Sequence, residues 1–417
     1  MEAMQGDGRA GRAAGRARPR VGRGLRLGAC LGLTLGGLGL GAPAPAPALT
    51  DQREQGHARF FKGADGTLDR YIAGTRCRQA FGVYTRVRLF APAGDRCVRR
   101  GFRRALVYVN AQAIRVEDAR ANRRLDRLVL RDRRGRRLYV PFGCAKGTCP
   151  QYAADVASPA WRRHVARQIR AVTRARYAGV FLDDVNFDRN VGDGRGRPVA
   201  PVRGGRTLSE AEWKAAMATL VRTARRAAPR RELMINTVWW KPESSLDDPV
   251  VAAGVAAATD FEIERGAEDT RRGQPFDGLL AVIDRLHGLG LGVTLENYEA
   301  TDRRRAEFEL ATHLLTTEGR DTFSAEWRSC PRATRRYKPC GRSFWRGYLT
   351  RLGPALGPRE QRPDGLWQRR FRDGLVLVNP PGSPRREGAL DRMYQDLDGT
   401  PRVFVALDPD QALVLRR

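Results

Sequence analysis

The chain has little lysine, few histidines and no Cys-x-x-Cys motif. Only five of its 76 basic residues are lysines, and its four histidines are isolated. Because no Cys-x-x-Cys occurs, a zinc site is disfavoured, and we expect neither a metal nor another cofactor. A Gly-x-Ser-x-Gly elbow, a phosphate-binding loop and a convincing Gly-x-Gly-x-x-Gly are also missing. These absences argue against a serine-triad hydrolase and against nucleotide binding.

Acidic residues are outnumbered, which gives the 417 residues a formal net charge of +30. A charge of this size would attract nucleic acids or other polyanions. However, the arginines are scattered along the chain, and there is no basic tail and no motif that interleaves aromatic and basic residues. We therefore expect no nucleic-acid partner.

The first 48 residues resemble an export signal. Seven arginines lie between residues 9 and 26, an apolar glycine-rich stretch covers residues 27–41, and small residues follow up to Ala48. This order is typical of a secretory signal, and the apolar stretch is short for a stable membrane span. We expect a secreted or extracellular monomer, with cell-wall association as an alternative, and no membrane contact once the signal is removed.

Six cysteines follow the predicted signal. An even number in an exported chain suggests disulfide bonds, although six cysteines allow many pairings. The pairs that sequence proximity favours are Cys77–Cys97, Cys144–Cys149 and Cys330–Cys340.

Short apolar runs alternate with helical patterns over much of the chain. The predicted strands are residues 80–87, 105–110, 137–142, 179–184, 232–238, 257–264, 291–297 and 321–327. Ser158 and Pro159 begin one predicted helix, and the Ser209–Glu212 capping box begins another. Eight alternations predict the α/β class and a (β/α)8 TIM barrel.

The predicted domains follow from these patterns. They are a signal peptide at 1–48, a lead-in segment at 49–76, a TIM-barrel catalytic domain at 77–356 and a small C-terminal antiparallel β domain at 357–417. The last assignment rests on short strand-like runs that are separated by turn residues.

Carboxylates collect at the ends of the predicted strands, where barrel enzymes carry their chemistry. Asp183 and Asp184 end the fourth strand, and strand alternation predicts that they point to opposite sides. Glu262 and Glu264 share one face of the sixth strand, and Glu296 lies near the end of the seventh. Paired carboxylates on a barrel rim fit glycoside hydrolysis, in which one is the acid and the other the nucleophile or base.

Aromatic residues follow several of the same strands. Trp239, Trp240, Tyr298 and Trp327 are candidates for stacking on sugar rings, and packing in the core is the alternative for the tryptophans.

Four sequence runs carry a family resemblance. They are LYVPFGCAKGTCPQY at 138–152, GVFLDDVN at 179–186, GDG at 192–194 and ERG at 264–266. Over roughly residues 80–379, the chain resembles exported actinobacterial glycoside hydrolases and the family 15 group of hypothetical glycosyl hydrolases, which are TIM-barrel proteins. The resemblance implies a barrel that acts on glycan, with Asp183 as the strand-four acid and Glu264 as the later acid. Because Glu262 precedes Glu264 on the same strand, the choice between these two stays open.

We expect a secreted enzyme that cleaves O-glycosidic bonds in a polysaccharide or cell-wall glycan by carboxylate acid/base catalysis. Asp183 is the predicted nucleophile or base and Glu264 the general acid, with Asp184, Asn186 and Glu296 in support. The alternatives are a non-catalytic carbohydrate-binding barrel protein and a polyanion binder whose affinity falls steeply with salt. The sequence does not specify the sugar, the linkage, or a retaining or inverting outcome.

Overall fold

The computed structural model describes most of the chain beyond Gly56. The described residues are 56–63, 84–89, 105–144, 148–174, 177–237, 245–297, 302–325 and 345–417. They all belong to one compact unit. No helix within these ranges is long and apolar enough to cross a membrane. The predicted signal peptide lies outside them.

Eight parallel strands form a closed barrel, in which the first strand pairs with both the second and the last. In chain order they are β1 (Phe60–Gly63), β2 (Tyr84–Leu89), β3 (Ala105–Asn110), β4 (Gly179–Asp183), β5 (Glu232–Asn236), β6 (Asp260–Glu264), β7 (Gly292–Asn297) and β8 (Thr322–Ala325). The strands that end in the candidate acids, β4, β6 and β7, are therefore close together, with β5 between β4 and β6.

The sequence prediction missed the first barrel strand and assigned another in its place. Phe60–Gly63 lies within the segment predicted as a lead-in, and its four residues are too few to show a period. The predicted strand at 137–142 is not part of the barrel. Leu138 and Val140 are buried there, and Tyr139 forms isolated bridges with its neighbours, so the alternating pattern comes from packing outside the barrel.

Helices follow the middle strands of the barrel. They are α1 (Val116–Ala121), α2 (Arg123–Asp126) and α3 (Pro159–Arg174) after β3, α4 (Glu210–Ala227) after β4, α5 (Pro249–Val255) after β5, α6 (Gly266–Arg271) and α7 (Phe276–Gly288) after β6, and α8 (Arg303–Thr316) after β7. The predicted capping box at the start of α4 is confirmed, because Ser209 and Glu212 cap each other reciprocally. The segments after β1, β2 and β8 fall outside the described ranges, so the complete (β/α)8 pattern stays a prediction.

A six-stranded antiparallel sheet follows the barrel, as the sequence predicts. Its strands are β9 (Glu360–Gln361), β10 (Trp367–Phe371), β11 (Gly374–Asn379), β12 (Arg386–Gln395), β13 (Pro401–Leu407) and β14 (Gln411–Arg416). The sheet packs on α8. There the Arg369 guanidinium donates to three carbonyl oxygens at the helix C-terminus, and the amide of Val414 donates to Glu307 at 3.0 Å.

The barrel interior changes character along its axis. A small apolar cluster, formed by Phe61, Leu106, Phe181 and Met234, fills its middle. On the side where the strands begin, Arg86 contacts Asp260 at 2.9 Å. On the side where the strands end, acidic side chains collect.

Candidate active site

Asp183 and Asp184 contact two side chains of the neighbouring strand β3. The hydroxyl of Tyr108 donates to Oδ2 of Asp183 at 2.7 Å, and Nδ2 of Asn110 donates to Oδ2 of Asp184 at 2.7 Å. Nδ2 of Asn110 also donates to the hydroxyl oxygen of Tyr108 at 2.8 Å. Tyr108 and Asn110 are two residues apart and share one face of β3. The two carboxylates therefore point to the same side.

The prediction that Asp183 and Asp184 point to opposite sides of the barrel wall is wrong. Alternation holds only while the backbone stays extended, and Asp184 comes just after β4 with a φ of 56°. This left-handed conformation redirects its side chain towards Asn110. Aspartate tolerates the conformation better than most residues, and such backbone strain is concentrated at functional sites.

The surroundings of the two aspartates favour their neutral forms. Burial raises the pKa of Asp183, while the hydroxyl of Tyr108 and the charge of Arg88 oppose this change. Burial, together with the charges of Asp183 and then Glu264, raises the pKa of Asp184 to about 7. Burial and Asp183 also raise the pKa of Tyr108, so its hydroxyl keeps its proton. Asp184, which gains a proton near neutral pH, thus lies beside Asp183, which accepts a hydrogen bond from the Tyr108 hydroxyl.

Glu264 is brought close to this pair by strand register. It ends β6 directly opposite Glu296 of β7, and it is near enough to Asp184 to raise its pKa. Its side chain is half-buried, whereas that of Glu262 is fully buried. Of the two candidates on β6, Glu264 is therefore the more exposed.

Glu262 and Glu296 are held deeper in the barrel. Oε2 of Glu262 accepts a hydrogen bond from Nδ2 of Asn236 at 2.8 Å, and Oε1 lies 3.2 Å from Nη1 of Arg88. Oε1 of Glu296 lies 3.4 Å from Nη2 of Arg88. Burial and the charge of Glu296 raise the pKa of Glu262 well above its usual value.

Asn186, which the sequence names as a supporting residue, lies in the loop after β4. Its Nδ2 donates to Oε1 of Gln112 at 3.4 Å, and its carbonyl oxygen accepts from the Trp213 indole at 2.9 Å. These contacts hold the loop after β4 against α4. The structure thus brings Asn186 to Gln112, not to the carboxylates.

The predicted Cys144–Cys149 disulfide is confirmed, with a Cα–Cα distance of 4.1 Å. The amide of Cys149 donates to the carbonyl of Gly194 at 2.9 Å. Two of the four runs that carry the family resemblance therefore touch each other. The other predicted disulfide residues, Cys77, Cys97, Cys330 and Cys340, lie outside the described residues, as do Trp239, Trp240, Tyr298 and Trp327.

Sequence reasoning did not single out Arg88, Tyr108 or Asn110. Each strand carries a pattern that could have identified them. Arg86 and Arg88 are two residues apart in β2 and so share one face, and Tyr108 and Asn110 do the same at the end of the apolar run in β3. Arg88 was missed because the predicted strand ended at residue 87, and because one arginine stands out little among so many.

The comparisons with known proteins do not assign a family. No family model matches the chain, and no curated protein matches it. The resemblance to the family 15 group of hypothetical glycosyl hydrolases therefore stays a prediction.

Among solved structures, the similar ones include carbohydrate-active enzymes. The glycoside hydrolase domain of PelA from Pseudomonas aeruginosa is 19% identical, with a TM-score of 0.41, and the match covers 64% of this chain and 94% of that one. Ega3 from Aspergillus fumigatus, in complex with galactosamine, is 11% identical over 66% of this chain and 93% of its own, with a TM-score of 0.38. The alpha-glucosyl transfer enzyme XgtA is 10% identical over 88% and 99%, with a TM-score of 0.47. Because these TM-scores lie below 0.5, the assignment of the site depends on the chain's own residues.

Proposed function

We propose that the protein is a glycoside hydrolase whose chemistry is carried by carboxylates where the barrel strands end. The observation that supports this most strongly is the convergence of Asp183 and Asp184 on Tyr108 and Asn110, with Glu264 nearby. Glycoside hydrolysis needs one carboxylate that is charged and one carboxyl that carries a proton, and different surroundings separate their pKa values.

Asp183 is the proposed nucleophile or base. It lies on the inner face of the barrel, and its carboxylate is held in one orientation by the Tyr108 hydroxyl. Both roles require the ionised form of the carboxyl group. Burial raises the pKa of Asp183, and the Tyr108 hydroxyl and the charge of Arg88 limit this rise. In a retaining reaction its oxygen attacks the anomeric carbon, and in an inverting reaction it removes a proton from the attacking water.

Glu264 is the proposed general acid, which donates a proton to the glycosidic oxygen as the bond to the leaving group breaks. Its half-buried position at the strand end gives it access to substrate, which Glu262 lacks. Asp184 is the rival for this role, because a pKa of about 7 suits a proton donor at neutral pH.

The proposed substrate is a polysaccharide or cell-wall glycan, and the export signal predicts that the protein meets it outside the cell. Trp239, Trp240, Tyr298 and Trp327 remain the proposed stacking residues. Stacking of this kind uses the large apolar faces of aromatic rings and leaves their polar edges free for hydrogen bonds.

The test is a glycan panel incubated with the wild type and with Asp183→Asn in parallel. We expect new reducing ends with the wild type and strongly reduced release with the variant. Glycan binding without release of reducing ends by the wild type would favour the carbohydrate-binding alternative. If Asp183→Asn hydrolyses glycan as fast as the wild type, Asp183 is neither the nucleophile nor the base.

A further inference from the structure

Arg88 lies between the carboxylates of two neighbouring strands in the barrel interior. Its guanidinium is 3.2 Å from Glu262 and 3.4 Å from Glu296, and its Cζ is 4.6 Å from the centre of the Phe181 ring. Phe181 and Asp183 are two residues apart on β4, so their side chains point to the same face. The cation therefore lies on the side of the strand that Asp183 faces, and its charge opposes the rise that burial causes in the pKa of Asp183.

Five carboxyl groups share this end of the barrel: Asp183, Asp184, Glu262, Glu264 and Glu296. Carboxylates that are close together raise one another's pKa values, so they cannot all be ionised. Burial and the charge of Glu296 raise the pKa of Glu262 well above its usual value, while Arg88 and the hydrogen bond from Asn236 oppose this change. Arg88 contacts both Glu262 and Glu296 on the side of the barrel that Asp183 faces.

We infer that Arg88 is a positioning residue for the proposed reaction, and that its charge, held in place by Glu262 and Glu296, favours the ionised form of Asp183 against the effect of burial. This inference depends on the proposed function. The other groups that act on Asp183 are the hydroxyl of Tyr108 and the backbone amide of Asp184, which also favour the ionised form, and the carboxyl groups of Glu296 and Asp184, which oppose it.

Arg86 offers a matched control. It lies two residues earlier on the same face of β2, is also buried, and pairs with Asp260 at 2.9 Å and with Glu232 at 3.2 Å. Arg86→Gln therefore removes a buried cation from the same strand, but at the opposite end of the barrel. Arg88→Lys is the conservative variant, because it keeps the charge and changes the shape.

The direct test follows the titration of Asp183 in the full chain by carbon-13 NMR of aspartate carboxyls, with its signal identified from Asp183→Asn. We expect Arg88→Gln to raise the pKa of Asp183 by about 1 unit or more. Arg88→Lys should restore most of this shift, and Arg86→Gln should leave the titration of Asp183 unchanged. The acidic limb of the pH–rate profile should move with the pKa. An unchanged Asp183 titration in folded Arg88→Gln would overturn the inference.

A second variant covers the case in which Arg88→Gln does not fold. The double variant Glu262→Gln/Arg88→Gln leaves one fewer buried carboxyl without its cation, and Asp183 should titrate at higher pH in it than in Glu262→Gln alone. Equal titration of Asp183 in these two variants would again overturn the inference. The NMR titration needs no turnover. A wild type that hydrolyses no glycan would therefore refute the proposed function, while the titration would still decide whether Arg88 controls the charge of Asp183.

Discussion

The hydroxyl of Tyr108 donates a 2.7 Å hydrogen bond to Asp183, and this contact orients the carboxylate that we assign to the chemistry. The two residues lie on neighbouring strands of the barrel, and Asn110 connects them to Asp184. The contact has consequences for pH dependence, because a donor to the ionised form lowers the pKa of an acid.

Tyr108→Phe should raise the pKa of Asp183, since it removes this donor and keeps the ring. The acidic limb of the kcat/KM profile should therefore move to higher pH, and activity should fall most at low pH. A hydrogen bond to a charged group contributes about 1.5–3 kcal/mol, which corresponds to roughly one or two pH units. An acidic limb at the same pH in both proteins would show that the hydroxyl does not stabilise the carboxylate.

Asp183→Asn should reduce turnover by roughly 10²–10⁴-fold or more, the range expected for loss of a catalytic acid or base. The amide keeps the shape of the side chain but cannot act as nucleophile or base, so glycan affinity and melting temperature should change little. Asp373→Asn is a suitable control, because Asp373 lies in an exposed turn and pairs with Arg372 at 2.7 Å. A variant that keeps more than about a tenth of wild-type turnover would exclude Asp183 and favour Asp184.

The location of the candidate acids at the ends of strands could be predicted from the sequence, because they follow apolar runs. The direction of Asp184 could not, because it depends on one backbone angle beyond the strand end. Arg88 and Tyr108 could not be assigned either, since their roles come from which strands are neighbours around the barrel. Phe60–Gly63 was missed because a four-residue strand is recognised only through its pairing with β2 and β8.

Asp184 should make folding stability depend on pH. Its folded pKa of about 7 lies above its usual value of 3.8, so the folded state binds the extra proton between these values. Stability from this group is fully present below about pH 4 and is lost as the pH rises towards 7, on the order of a few kcal/mol. We therefore compare the melting temperature of Asp184→Asn with that of the wild type at two pH values. The variant's melting temperature, relative to that of the wild type, should be higher at pH 8 than at pH 4. An equal difference at both pH values would contradict the raised pKa.

The Cys144–Cys149 disulfide should hold the loop around Gly194, because the amide of Cys149 donates to that residue's carbonyl. We expect the double variant Cys144→Ser/Cys149→Ser to become more sensitive to limited proteolysis between residues 192 and 198, with the barrel intact. Mass spectrometry of the unreduced wild type should also show this pair linked, and no free thiol in the mature chain. A free thiol at Cys149 would exclude the bond, and an unchanged digestion pattern would exclude its effect on the loop.

Glu264→Gln separates the two candidates for the general acid. Loss of the acid costs most when the leaving group is a poor one, because a sugar hydroxyl must be protonated as it departs. We therefore expect turnover of glycan to fall by roughly 10²–10⁴-fold, while turnover of an activated aryl glycoside, whose leaving group needs no proton, falls much less. Asp184→Asn, measured on the same two substrates, should reduce both to a similar extent if Asp184 only supports the site. If instead Asp184→Asn loses much more turnover on glycan than on the aryl glycoside, and Glu264→Gln loses both equally, Asp184 and not Glu264 is the general acid.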